Sequence, residues 1–149
     1  MTREDGARQH RMAVLAQADA SLLEARWAAL GEDPEFELLR GPETGLIALR
    51  GRMGGGGAPF NFGEATATRA TVRLSDGSVG HAIALGRDAA RVKLAAVVDA
   101  MARDEAMAAR IDEAIVAPLE QAMAERDEAR AAEAAATRVD FFTMVRGED

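Results

Sequence analysis

Four arginines, Arg50, Arg52, Arg69 and Arg73, are the side chains of this sequence best equipped for recognition chemistry. A guanidinium presents a planar fork of donors that matches the oxygens of a phosphate or a carboxylate. Arg69 and Arg73 are four positions apart and Arg50 and Arg52 two, so on strands each pair shares one side. Together they form a candidate anion or partner surface, the alternative being the ordinary polar side of an antiparallel sheet. The run Gly54-Gly55-Gly56-Gly57 could wrap backbone amides around a phosphate. Pro59-Phe60 follow it instead of the Gly-Lys-Ser/Thr of a P-loop, so a mobile connection or a close backbone approach to another subunit explains it better than a phosphate cradle.

Other reactive types are scattered. His81 lies among Val79, Ile83 and Leu85 and reads as a core or interface histidine, while His10 sits among polar residues and reads as exposed. With two distant histidines and no cysteine there is no recognisable metal site, and no serine or threonine stands in a nucleophile-elbow context. The pairs Asp104-Glu105, Asp112-Glu113 and Asp127-Glu128 imitate general acid–base pairs, but they fall in charge-rich helical stretches and read as solvated faces.

The elements that would position these groups follow from periodicity. Arg8–Ala18 has helical spacing, and Ser21-Leu22-Leu23-Glu24 reads as a capping box opening a second helix to Leu30, with Leu23, Trp27 and Leu30 on one stripe and Gly31 as its stop. Phe36–Arg40, Leu46–Met53, Thr66–Leu74 and Ser78–Leu85 read as strands. Asp76-Gly77 suits a two-residue type I′ turn. That turn pairs Leu74 with Val79, Val72 with His81 and Ala70 with Ile83 on one largely apolar face, leaving Arg69 and Arg73 on the other beside the small residues Gly80, Ala82 and Ala84. A three-residue loop would set Arg73 against Val79 and Arg69 against Ile83; the apolar pairing favours the shorter turn.

Asp88 is placed to cap a helix carrying Val92, Leu94, Ala95, Val98 and Met101. Met107, Ile111 and Ile115 recur on the next helix, which Pro118 should end or kink. A long, alanine-rich charged helix then runs from Leu119 to Thr137. Phe141-Phe142 and Met144-Val145 beyond it form an apolar run that should dock on the sheet, a helix or a partner. The expected fold is α+β: a single domain with an N-terminal helical pair, a mainly antiparallel sheet and C-terminal helices.

Composition narrows the partners. Net charge is −7, yet residues 36 to 87 hold six arginines against four acids, whereas residues 99 to 133 hold ten acids against four arginines. The acidic total argues against nucleic acid, and the middle of the chain is the favoured place for an anion. No stretch approaches the ~20 apolar residues of a membrane span, and no signal-type segment opens the chain. The protein is therefore expected to be cytoplasmic and away from membranes. Leu, Ile, Val and Phe number only 30 among 149 residues, against 34 alanines. Alanine favours helix but buries little area, so the fold is expected to draw stability from partners.

Three blocks carry a family resemblance: Glu43-Thr44-Gly45-Leu46-Ile47 through Gly57 and on to Leu74, then Leu74-Ser75-Asp76-Gly77-Ser78-Val79-Gly80 with Gly86-Arg87-Asp88, and the tail Arg138-Val139-Asp140-Phe141-Phe142-Thr143-Met144-Val145-Arg146-Gly147. From about Arg8 to Gly147 the chain resembles the G subunit of the bacterial carbon-phosphorus lyase core complex. The resemblance implies a part, with H and I partners, in a transferase that displaces adenine from ATP by a phosphonate, giving alpha-D-ribose 1-methylphosphonate 5-triphosphate. A J partner of the same complex cleaves the carbon–phosphorus bond with an iron–sulfur cluster, which a cysteine-free chain cannot hold. ATP would be a substrate of the complex, with no cofactor bound by this chain. No catalytic residue carries over, so the expected role is assembly surface with charge near a partner's site. The rivals are a module that only scaffolds its partners and an autonomous nucleotide binder.

Overall fold

A computed structural model describes residues 3–52 and 56–137. Helices α1 (Arg3–Gln17) and α2 (Ala20–Leu30) precede three antiparallel strands, β1 (Phe36–Gly51), β2 (Phe60–Leu74) and β3 (Val79–Leu85), in sheet order β1-β2-β3. Helices α3 (Ala89–Met101) and α4 (Glu105–Ile111), a π turn (Asp112–Val116) and α5 (Ala117–Ala136) complete the α+β domain. The helices share one face of the sheet, and the core lies there: Leu23, Val72, Val92, Val98, Ile111, Ile115 and Leu119 are almost fully buried.

Local chemistry sets the helix ends. Asp88 caps α3 as the sequence predicts, accepting from the Arg91 amide at 2.9 Å, and Gly31 ends α2 at φ 73°. The capping box at Ser21 is not used. Asp19 caps α2 instead, accepting from the Leu22 amide at 3.0 Å, because the chain turns two residues earlier than the box requires. Asp19→Ala should therefore cost about 1 kcal/mol and Ser21→Ala almost nothing. Urea unfolding of the two variants checks this, and equal losses would restore the box. Pro118 neither ends nor sharply breaks the helical run. The Ala117 amide donates to Asp112 five residues back, a π turn that widens the helix just before a residue with no N–H to give.

The β2–β3 turn departs from the two-residue expectation. Gly77 N–H donates to Leu74 C=O at 3.0 Å and Leu74 N–H to Ser78 C=O at 2.9 Å, which makes Ser75-Asp76-Gly77 a three-residue loop. Only Gly77 takes positive φ, at 90°, whereas a type I′ turn needs it at Asp76 too; Asp76 instead accepts from the Ser78 amide at 2.8 Å. The register moves by one, so Val72 pairs with Gly80, Thr71 with His81 and Arg69 with Ile83. Packing against α3 explains the choice. A Cβ on Gly80 would stand 2.1 Å from the Ala96 carbonyl oxygen and 2.3 Å from the Ala100 nitrogen, so the helix backbone rests directly on the strand. Gly80, Ala82 and Ala84 face the alanine-rich α3, and Val79, His81, Ile83 and Leu85 turn outward.

The two predicted strands Phe36–Arg40 and Leu46–Met53 merge into β1, which absorbs Gly41-Pro42 as an irregularity between Arg40 and Glu43. β2 likewise starts at Phe60, six residues before the predicted Thr66. Beyond Ala67, where β3 ends, β1 and β2 continue alone as a two-stranded arm to Gly51 and Phe60.

Candidate functional site

The outward sheet face holds two of the predicted arginines, Arg69 and Arg73, and each has a partner. Arg69 Nε donates to Glu43 Oε1 at 2.6 Å, and Arg73 pairs with Glu37, in both cases across the β1–β2 ladder. Arg40 Nε lies 3.7 Å from the same Glu43 carboxylate. These pairs arise because the register sets an acid of β1 directly opposite an arginine of β2. Their cross-strand neighbours on β3 are Ile83 and Val79, not the small residues the shorter turn would have supplied.

Arg50 and Arg52 do not join them. Arg50 pairs with Asn61, eight positions along β2 from Arg69, which at ~3.3 Å per residue is about 26 Å away. Arg52 follows the last residue of β1 and is exposed. The four arginines thus fall into two places: a charge-paired stripe on the sheet and the end of the arm. Gly54 and Gly55 lie outside the described residues, as do Phe141-Phe142 and Met144-Val145.

His81 is exposed on the outward face, with Nδ1 3.1 Å from Thr71 Oγ1, and so is not a core residue; the one-residue change of register put it there. His10 is exposed, as expected, beside Glu120 at 2.8 Å. Of the paired acids, Asp104 caps α4 and Asp112 holds the nearly buried Arg11 at 3.0 Å, while Glu105, Glu113 and the pair Asp127-Glu128 are exposed as a solvated face should be. No cluster of potential metal ligands occurs among the described residues.

What the sequence reading passed over is the exposed apolar surface of the sheet and its arm. Large apolar side chains open to solvent all sit on the sheet: Leu46 is 66% exposed, Leu85 62%, Phe62 59% and Ile83 51%, with Phe36, Leu38, Leu39 and Phe60 close behind. Every described phenylalanine is therefore outside the core. On the arm the Phe60 and Phe62 rings meet edge-to-face at 6.2 Å, and Gly51 lets the Phe62 ring approach, since a Cβ there would be 3.0 Å from it. A two-stranded ribbon without a covering layer is marginal in water, so an arm of this kind fits burial against another surface. The sequence signal was available in the Phe60-Asn61-Phe62 alternation.

A buried polar contact anchors α1 to this sheet. Asp99 of α3, 1% exposed at its side chain, receives both Nε and Nη2 of Arg8, at 2.9 and 2.8 Å, and the His81 amide at 2.9 Å. The hydrogen bond to Asp99 holds the Arg8 guanidinium above its ordinary pKa, against the opposing effect of burial. Arg91 of α3 donates to the carbonyls of Ala16, Ala18 and Leu85 and so ties the end of α1 to the end of β3. Between these two ties lies a mainly apolar cavity of about 210 Å³, lined by Met12, Ala16, Ala82, Ala84, Val92 and Ala95 among others. Its polar residues, His81 and Arg91, are already hydrogen-bonded, so it holds no general acid–base pair.

Residues 6–147 match the family model of the phosphonate metabolism protein PhnG. The chain belongs to the PhnG family. Its sequence is also 51% identical over 142 residues to the alpha-D-ribose 1-methylphosphonate 5-triphosphate synthase subunit PhnG of Rhizobium meliloti (strain 1021), covering 95% of this chain and 90% of that protein. The match includes the sheet, the arm and α5, so the exposed apolar residues of the sheet lie within the part shared with that subunit.

Proposed function

We propose that this PhnG-family chain is a non-autonomous subunit of an alpha-D-ribose 1-methylphosphonate 5-triphosphate synthase, the transferase that displaces adenine from ATP by a phosphonate. The observation that carries the subunit role is the concentration of exposed Leu, Ile and Phe on the sheet and its arm, on both faces: Ile83 and Leu85 on the outward side with Arg69, Phe36 and Leu38 on the side of Leu74 and Val72. Such a surface is costly in water and suits burial in an assembly. The partners we assign to it are the H, I and J subunits of the carbon-phosphorus lyase core complex, in the cytoplasm. ATP enters as substrate of that complex, and no cofactor is assigned to this chain. In this reading Arg69 and Arg73 act within the interface, beside Ile83 and Val79, whereas Arg50 and Arg52 act at the arm's end.

Reconstitution of the transferase with and without this chain tests the proposal. Loss of the ribose 1-phosphonate product on omission supports it, and an unchanged rate from the remaining subunits overturns it. The rival in which the chain only scaffolds is separated by the Arg69→Gln/Arg73→Gln variant. Both ion pairs are half-exposed, so each should contribute under about 1 kcal/mol to folding and the melting temperature should hardly move. In the complex, truncation of a charge-assisted contact should cost about 2 kcal/mol or more in assembly or in rate. Normal assembly with a reduced rate favours a part in the chemistry, and weakened assembly with a normal rate per assembled complex favours scaffolding. No change in either removes the arginines from the proposal.

A further inference from the structure

The ladder parity of β3 leaves an edge that is only partly closed. The bonds Leu74 N–H to Ser78 C=O and Gly86 N–H to Thr66 C=O fix Gly80, Ala82 and Ala84 as the residues bonded to β2. His81, Ile83 and Leu85 therefore aim their N–H and C=O groups at the open edge. Asp99 takes the His81 N–H and Arg91 takes the Leu85 C=O. Between those ties the Ile83 N–H and C=O have no partner among the described residues, and the 210 Å³ apolar cavity lies beside them. An enclosed apolar cavity of ~150 Å³ already accepts a benzene ring. Polar backbone groups beside a ring-sized apolar hole are the two halves of a strand-addition site.

We propose that this edge receives the C-terminal segment Val139–Val145 of a second copy of the chain, with one ring of Phe141-Phe142 in the cavity. Adjacent residues of an extended segment point to opposite faces. One of the two phenylalanines then enters the cavity while the other lies over Ile83 and Leu85, the exposed residues of the outward face. The length of the intervening chain selects the second copy. α5 runs beside α1 from the His10–Glu120 contact to the hollow formed by Asp19, Leu22, Met123 and Arg126. From Ala124 to Thr137 it is exposed, carrying the chain about 20 Å past its last packed residue, Met123. The cavity lies back at the level of Ala13 and Ala16, and the four residues from Thr137 to Phe141 span at most ~14 Å. A reciprocal exchange between two copies closes as a symmetric dimer.

The absence of native cysteine makes the test clean. Ala13→Cys, at the cavity wall, and Thr143→Cys, beside the phenylalanines, are introduced into separate full-length chains, which are mixed and gently oxidised. A disulfide-linked dimer of one chain of each kind is expected, with the linkage read by peptide mass spectrometry. Sedimentation should show self-association of the wild-type chain, with the dissociation constant rising about tenfold or more for Phe141→Ala/Phe142→Ala. Ile83→Pro should do the same with an unchanged far-UV spectrum, because the N–H it removes lies outside the β2–β3 ladder. A wild-type chain that is monomeric at all concentrations, or a cross-link that forms only when both cysteines are on one chain, overturns the proposal. The assay needs no partner subunit and no turnover, so its failure leaves the synthase reading untouched.

Discussion

Gly80→Ala is expected to be the most damaging single methyl group that can be added to this protein. Its Cβ would fall 2.1 Å from the Ala96 carbonyl oxygen, 2.3 Å from the Ala100 nitrogen and 2.8 Å from the Ala100 Cα, all backbone atoms of one helix. No rotamer change relieves a backbone clash, so α3 must lift from the sheet and part with the contacts that bury Val92, Val98 and Ala96. Overpacking of this kind costs about 3 kcal/mol or more. For a domain of this size that is roughly a 10 °C fall in melting temperature. Gly63→Ala is the matched control, since nothing lies within 4 Å of its added Cβ. Similar melting temperatures for the two variants would mean that α3 does not sit on β3 as described.

Removal of the Asp99 carboxylate ranks next. Asp99→Ala leaves the Arg8 guanidinium and the His81 N–H without their acceptor at a site where the carboxylate is 1% exposed. Breaking a buried pair typically costs 3–5 kcal/mol. Arg8 is 29% exposed and regains some hydration, so about 2–4 kcal/mol is the expected loss. A double-mutant cycle with Arg8→Ala should show that the two losses do not add, with a coupling of about 1 kcal/mol or more. That coupling should survive 1 M salt, unlike any contributed by the exposed Arg69–Glu43 pair. Additive losses would show that α1 is held to the sheet by apolar contact alone.

The alanine-rich composition has a structural counterpart in these two sites. Small residues on α3 and β3 bring backbones close together, which leaves little room for large side chains between them. The described phenylalanines are displaced to the arm and the sheet surface. A chain built in this way has apolar area to give to an assembly, in keeping with its membership of a family whose relative is a synthase subunit.

Sequence by itself determined the class of the fold, the family, the two-helix start, the Gly31 stop, the Asp88 cap and the buried stripe of Ile111 and Ile115, because each rests on local periodicity or on one residue's backbone chemistry. It also placed Arg69 and Arg73 on the outward face. Tertiary structure alone decided the register of β3, the exposure of His81 and the separation of Arg50 from Arg69. Local pairing preferred Val72 opposite His81, but a strand must satisfy the helix above it as well as the strand beside it. Gly80, Ala82 and Ala84 are the only residues of β3 small enough to meet α3 at backbone distance, so burial against that helix outweighed the apolar match across the turn.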